Sequence, residues 1–71
     1  MELAQIQVRL RECISQSQYS QRQIAQAIGV SAQTVSKYMK HNIFPALDTL
    51  SKLCTLLDVR ADYILGLTNE Y

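Results

Sequence analysis

The sequence is poor in residues that interrupt helices, with one proline and two glycines among 71 residues. Because 48% of its residues are apolar, this composition argues against a disordered segment and favours a compact helical bundle. A chain of this length has room for one hydrophobic core. We therefore predict a single domain over residues 1–71.

Long apolar runs are also absent. No window approaches the roughly 18 apolar residues of a membrane-spanning helix, and no charged start is followed by an apolar block. We therefore expect neither a membrane span nor a signal peptide, and we expect a cytoplasmic protein.

Residues that carry chemistry are scarce. Cys13 and Cys54 stand alone on apolar stripes, which predicts core packing rather than a zinc site or a disulfide. His41 has no cysteine or carboxylate nearby in the sequence to complete a ligand set. There is no phosphate-binding glycine loop and no pairing of carboxylates around a nucleophile. The sequence predicts no enzyme, no metal site and no cofactor.

Acidic residues are missing from the middle of the chain. Between Glu12 and Asp48 the charged residues are Arg22, Lys37 and Lys40, whereas the remainder has four basic and six acidic residues. The central segment is therefore positive although the net charge is only +1. This distribution permits DNA binding, and so few cations predict a modest salt dependence. A chance gap among the acidic residues would give the same pattern.

The segment from residue 20 to residue 39 predicts two short helices joined by a tight turn. Ser20 and Gln23 have the spacing of a capping box at the start of the first helix. Gly29 can adopt the left-handed conformation that ends it, and Ser31 can cap the second helix. These are local signals, and an amphipathic hairpin in any small bundle would use the same ones.

The second helix of this pair is predicted to be apolar on one side only. Its inward side is formed by Val35 with Tyr38 or Met39. Small residues, an amide and an ammonium group on the other side suit the major groove of DNA. These outward positions are Ala32, Gln33, Thr34, Ser36 and Lys37.

Along nearly its whole length the chain resembles the lambda-repressor-like (Xre-type, phage repressor/Cro) helix-turn-helix family. The motifs that carry the resemblance are Ser20-Gln21, Ala25, Gly29-Val30-Ser31, Val35-Ser36, Pro45, Leu47, Leu50, Leu53, Leu57, Val59 and Ile64-Leu65-Gly66. The resemblance implies an all-α fold, a compact five-helix DNA-binding domain in which helices two and three form the helix-turn-helix.

The predicted helices cover most of the chain, and residues 68–71 are expected to form a frayed tail. Pro45 is placed in the first turn of helix four, where its missing N–H costs nothing. The helices run approximately over Glu2–Ser17, Gln21–Ile28, Ala32–Lys40, Pro45–Leu57 and Ala61–Leu65. The inward-facing residues of helices one and four are predicted to be Leu3, Ile6, Leu10, Cys13 and Ile14, and Leu47, Leu50, Leu53, Cys54 and Leu57.

Three outward residues are candidates for reading base edges. Gln33 can pair with adenine, Ala32 can contact a thymine methyl group, and Lys37 can donate to guanine. Lys37 could equally hold a phosphate. In the resembled family the Gln that opens helix two clamps the DNA backbone, and the resemblance implies that role for Gln21. The other predicted backbone contacts are Ser31, Thr34, Ser36, Lys40, His41 and Asn42.

One departure from the family is informative. Many members pair an Arg late in helix one with a Glu at the end of helix three, and those positions fall on Ile14 and Met39. Replacing both partners together avoids leaving one buried charge unpaired. We therefore predict that Ile14 and Met39 touch, unless the register is wrong by one turn.

The predicted functions belong to three classes. The first is a homodimeric repressor of phage or mobile-element type, whose dimer sets two helices about 34 Å apart on a near-palindromic operator. The second is an antitoxin that uses the same domain and also binds a toxin protein. The third is a protein-interaction module without DNA contacts, against which the basic segment argues. The first two remain open, as does the role of four apolar residues as a dimer interface or as ordinary core capping: Val59, Tyr63, Leu67 and Tyr71.

Overall fold

A computed structural model describes residues 2–69, and within that range it contains five α-helices and no strand. The predicted all-α fold with a helix-turn-helix formed by the second and third helices is confirmed. The second and third helices have the predicted bounds. The helices are α1 (Leu3–Gln16), α2 (Gln21–Ile28), α3 (Ala32–Lys40), α4 (Leu47–Leu57) and α5 (Ala61–Ile64).

The turn between α2 and α3 forms through the local signals that the sequence contains. Ser20 Oγ accepts a hydrogen bond from the Gln23 backbone at 3.1 Å, and Gln23 Oε1 accepts one from the Ser20 backbone at 2.8 Å. Gly29 ends α2 in the left-handed conformation with φ of 78°. Ser31 Oγ then accepts from the Thr34 backbone at 3.1 Å and begins α3. The predicted capping box, turn and second cap are all confirmed.

The start of α4 differs from the prediction. The helix begins at Leu47, with Ala46 as its extended N-cap, so Pro45 lies outside the first turn. The earliest backbone bond into the helix runs from the Leu50 N–H to the Ala46 carbonyl at 2.8 Å. Phe44 and Pro45 instead line an apolar groove beside α1. An extended backbone at this point carries both side chains across the surface to that groove.

Helix ends elsewhere shift by one residue. Glu2 and Ser17 flank α1 as caps, and Leu65 caps α5. Asp58 ends α4 with φ of 54°, a left-handed conformation that a short polar side chain tolerates better than most.

The core draws buried side chains from all five helices. Both predicted core cysteines are among them, and burial raises the pKa of the Cys13 and Cys54 thiols, so they pack as small uncharged groups. The buried apolar residues are Leu10, Cys13, Ile14, Ile24, Ala25, Ile28, Val35, Tyr38, Leu50, Leu53, Cys54 and Ile64.

Two residues that were predicted to face inward are exposed. Leu3 is 66% exposed and Leu47 is 82% exposed. Each is the first residue of its helix and is not covered by a neighbouring helix. The periodicity of apolar residues predicts which face of a helix is buried, but not how far along the helix its packing partner extends. Ile14 is buried and Met39 packs against the same core, while their direct contact stays a prediction.

Candidate nucleic-acid interface

The interface is built around one exposed side of α3. This nine-residue helix buries Val35 and Tyr38, and that burial turns the three predicted base-reading residues outward. Ala32, Gln33 and Lys37 are all exposed. No hydrogen bond or ion pair within residues 2–69 engages their side chains, which leaves an amide, a methyl and an ammonium group available to a ligand.

The beginning of α2 is the second part of the candidate interface, and α2 packs against α3 across the turn. Gln21 is the first residue of α2 and is exposed. Ser20 caps the N–H of Gln23, and the N–H groups earlier in a helix have no acceptor within it. These donors, with the positive end of the helix dipole, form an environment that favours a phosphate.

The start of α3 carries two hydroxyl groups that were predicted to contact the DNA backbone. Ser31 Oγ and Thr34 Oγ1 are 2.9 Å apart and share a hydrogen bond. Ser31 is exposed and Thr34 is half-buried, as is Ser36. The structure therefore brings Ser31 and Thr34 together as one hydroxyl pair, in which capping already occupies one acceptor position.

No acidic side chain among residues 2–69 pairs with the cations of α2 and α3. Lys37 and Lys40 lie in the last turn of α3, where the helix dipole favours positive charge, and Arg22 lies in the first turn of α2. Within residues 2–69 the observed ion pair joins Arg60 to Asp62, away from these helices, at 3.3 Å. The positive charge of α2 and α3 is therefore directed to solvent.

Side chains from α1 hold the end of α3, which sequence reasoning did not predict. The Gln7 amide donates to the His41 carbonyl at 2.8 Å, and Arg11 donates to the carbonyls of Tyr38 and His41 at 3.0 and 3.1 Å. The His41 and Asn42 side chains remain exposed. Gln7 and Arg11 are one helical turn apart beside the buried Leu10, but this spacing does not identify the carbonyls that they contact.

A second arginine of α1 holds the residues that follow α5, which was also missed. Arg9 donates to the Tyr63 and Thr68 carbonyls at 2.6 and 2.8 Å and to Asn69 Oδ1 at 2.9 Å. Tail fraying over residues 68–71 stays a prediction. Its last two positions, 70 and 71, lie outside the described residues.

The predicted dimer residues do not share one environment. Val59 and Tyr63 are half-buried and pack against the core, whereas Leu67 is 75% exposed. Tyr71 lies outside the described residues. Core capping therefore accounts for part of the Val59 and Tyr63 side chains. Among the three described members of the set, Leu67 has the most apolar surface in water.

Two further observations concern the part of the chain that the structure describes. No three of its His, Cys, Asp or Glu residues come together in a way that could hold a metal ion. None of its helices has both the length and the apolar character needed to cross a bilayer.

Comparison with known proteins agrees with this geometry. A helix-turn-helix family model matches residues 9–64. The HTH-type transcriptional regulator YobD of Bacillus subtilis is 37% identical over 62 residues, which is 87% of this chain and 55% of YobD. The SPbeta prophage-derived regulator YonR of the same organism is 37% identical over 80% of this chain and 53% of its own. The regulator ImmR, also from Bacillus subtilis, is 34% identical over 82% of this chain and 46% of its own.

A solved structure gives the same result. The SOS-response transcriptional repressor LexA from Eubacterium rectale matches with a TM-score of 0.76 and 26% identity, over 87% of this chain and 66% of that one. The chain spans about half the length of the curated relatives it matches. Those relatives are transcriptional regulators and not a class of enzymes. The chain belongs to the lambda-repressor-like (Xre-type) helix-turn-helix family of DNA-binding transcriptional regulators.

Proposed function

We propose that this protein is a homodimeric, sequence-specific repressor of phage or mobile-element type that reads the major groove of a near-palindromic operator with α3. Residues 1–71 serve as one DNA-binding domain. The observation that carries the proposal is the exposed side of α3, where the Gln33 and Lys37 side chains have no partner within residues 2–69. A side chain that the fold does not use is available to read DNA.

Base reading falls to Ala32, Gln33 and Lys37. Gln33 is near the start of α3, where a helix in the major groove comes closest to the bases, and its amide matches the donor and acceptor of adenine. Ala32 is small enough to approach a thymine methyl group. Lys37, one turn further along, donates to guanine or to a phosphate.

Phosphate contacts position the protein on the duplex. The free N–H groups at the start of α2, with the Gln21 side chain, bind one phosphate. The hydroxyl pair of Ser31 and Thr34 lies at the start of α3, with Ser36 further along the same helix. Lys40, His41 and Asn42 follow the strand beyond α3. With so few cations, the protein relies on base contacts and on a second subunit.

Dimerisation follows from the small number of base contacts. One monomer with three or four such contacts discriminates poorly between sequences, while two copies of α3 about 34 Å apart read two half-sites. Leu67 supports an interface after α5 because it is 75% exposed. The repressor and mobile-element parts of the proposal rest on the relatives, since YonR is named as prophage-derived and LexA as a repressor.

The test is selection of bound sequences from a randomised duplex pool, followed by fluorescence-anisotropy titration at several salt concentrations. We expect an enriched near-palindromic site, with relaxed sequence preference for Gln33→Ala. We expect Gln21→Ala to weaken binding to all sequences alike. Lys52→Gln, which removes a charge from an exposed position of α4, is the control. Absence of both enrichment and low-salt affinity would overturn the proposal and direct the search to a protein partner.

A further inference from the structure

The end of α3 is constructed differently from the ends of α2 and α4. Those two helices end in left-handed residues, Gly29 with φ of 78° and Asp58 with φ of 54°. After α3 the backbone is extended at His41, with φ of −127° and ψ of 168°. An extended exit does not fold the chain back over the last carbonyls, so these groups need donors from elsewhere.

Helix α1 supplies those donors. The His41 N–H donates a hydrogen bond to the Lys37 carbonyl at 2.8 Å, and Arg11 Nε donates one to the Tyr38 carbonyl at 3.0 Å. The His41 carbonyl accepts from both Arg11 Nη2 at 3.1 Å and Gln7 Nε2 at 2.8 Å. The guanidinium therefore bridges two carbonyls on either side of the helix end, which a planar group with fixed donors can do.

The environment of these bonds makes them stronger than ordinary surface contacts. Gln7 is 7% exposed and is the buried polar residue of the described chain. Arg11 is half-buried, and its charge faces the negative end of the α3 dipole. A charged donor on a helix carbonyl in a partly dry site is worth more than a neutral bond in water.

We propose that Arg11, assisted by Gln7, is a positioning residue for DNA binding, which fixes the C-terminal end of α3 against α1. This inference rests on the proposed function. In the sequence Tyr38 directly follows Lys37, and His41 directly follows Lys40. The clamp formed by the α1 donors on these two carbonyls therefore sets where both ammonium groups meet the duplex. It also sets the direction in which Asn42 leaves the helix.

Two simpler roles for Arg11 make different predictions. A general cation would act through its charge alone, so Arg11→Lys would bind DNA as the wild type does. A purely structural residue would change the free energy of unfolding and leave the binding of folded protein unchanged. A positioning residue lowers the discrimination between the selected site and other DNA, since that discrimination depends on the placement of α3.

The experiment compares Arg11→Lys, Arg11→Gln and Gln7→Met with wild type, and uses Arg60→Gln as the charge-matched control. Chemical denaturation first shows that each variant is folded under binding conditions, and carbonyl ¹³C shifts of Tyr38 and His41 report the clamp. Anisotropy titrations then give the dissociation constants for the selected site and for a scrambled duplex. Their ratio is the measure of specificity.

We expect Arg11→Lys to lower the specificity ratio about tenfold, because an ammonium on a flexible stem lacks the fixed planar spacing of the two guanidinium donors. Affinity for scrambled DNA should change less than about twofold. Gln7→Met shifts the His41 carbonyl resonance and lowers the ratio in the same direction without altering charge. Arg11→Gln lowers the ratio in the same direction and keeps the wild-type salt dependence, because Arg11 contacts no phosphate in this role. Arg60→Gln keeps the wild-type ratio. If the Arg11 variants fail to fold, the specificity ratio of Gln7→Met alone decides whether the clamp positions α3 for DNA binding.

Wild-type ratios in folded Arg11→Lys and Gln7→Met would overturn the inference and leave the proposed function intact. Shifted carbonyl resonances with an unchanged ratio would overturn it as well, because the clamp would then be structural only. A wild-type protein that does not distinguish its selected site from scrambled DNA would overturn the proposed function, and the inference with it.

Discussion

The guanidinium of Arg9 lies over the ring of Tyr63, with its central carbon 4.4 Å from the ring centroid. The same guanidinium donates to the Tyr63 carbonyl at 2.6 Å. Arg9 therefore contacts both the ring and the backbone of one residue of α5. It also donates hydrogen bonds to Thr68 and Asn69, in the segment that follows α5.

Replacing Arg9 by Ala should lower the free energy of unfolding by about 2 kcal/mol, since several charge-assisted hydrogen bonds and a cation–π contact are lost. Urea denaturation measures the change. Amide exchange at Thr68 and Asn69 should become faster at the same time. Arg60→Ala, whose side chain is in an exposed ion pair, is the control and should change stability by less than about 1 kcal/mol. Equal losses for the two variants would show that the Arg9 contacts contribute no more than a surface charge.

The predicted contact between Ile14 and Met39 can be tested by a double-mutant cycle. Met39→Glu should destabilise the protein by about 2–4 kcal/mol, because it puts a carboxylate against an apolar core. Ile14→Arg should do the same. Together they should recover at least about 1 kcal/mol of the summed loss, as expected for adjacent side chains.

Met39→Leu, which keeps the apolar character and volume of the site, is the control and should cost less than about 1.5 kcal/mol. Simple additivity of the two charged substitutions in denaturant unfolding would mean that Ile14 and Met39 are not neighbours, and that the register with the family is shifted.

A dimer that uses the residues after α5 should be sensitive to charge at Leu67. Leu67→Lys should weaken binding to the two half-site operator at least about tenfold and leave single half-site binding nearly unchanged. Analytical ultracentrifugation of the complex should show one bound subunit in place of two. The matched control is Leu47→Lys, because Leu47 is equally apolar, is 82% exposed and is not among the predicted interface residues. The reverse result, with only Leu47→Lys disrupting the complex, would move the interface to the groove beside α1.

The buried thiols predict a loss of stability in alkali. Burial raises the pKa of Cys13 and Cys54 in the folded protein, whereas an unfolded cysteine has a pKa of about 8.5. The unfolded chain therefore releases these protons first, so the stabilisation is complete below about pH 8.5 and is lost as pH rises through the folded-state pKa.

Urea midpoints between pH 7.5 and pH 10 should fall more steeply for wild type than for a Cys13→Ala, Cys54→Ala protein. Tyr38 is present in both proteins, so its own raised pKa cancels in the comparison. Equal slopes of urea midpoint against pH for the two proteins would contradict the prediction.

Sequence and structure agree where a feature depends on neighbouring residues. Ser20, Gln23, Gly29 and Ser31 interact within a few residues of the chain, so the bounds of α2 and α3 could be predicted from their identities alone. The start of α4 could not be predicted in this way. Pro45 is compatible with the first turn of a helix, and its actual position depends on a groove formed by other helices.

The contacts of α1 were missed for a different reason. Arg9, Arg11 and Gln7 donate to backbone carbonyls far along the chain, and a carbonyl has no residue identity that a sequence pattern could match. The assignments of Ala32 and Gln33 as base-reading residues depend on side-chain chemistry and exposure, and they stay predictions.

The separation between scaffold and reading surface has an evolutionary consequence. The side chains of Ala32, Gln33 and Lys37 take no part in the hydrogen bonds, caps or core packing of residues 2–69, and α3 is held instead from its buried side and its two ends. Exchange of these three residues therefore alters the surface offered to DNA at little cost to folding. Under the proposed function, a lineage with this architecture acquires new operators by a few substitutions, and closely similar scaffolds serve regulators that bind different sites.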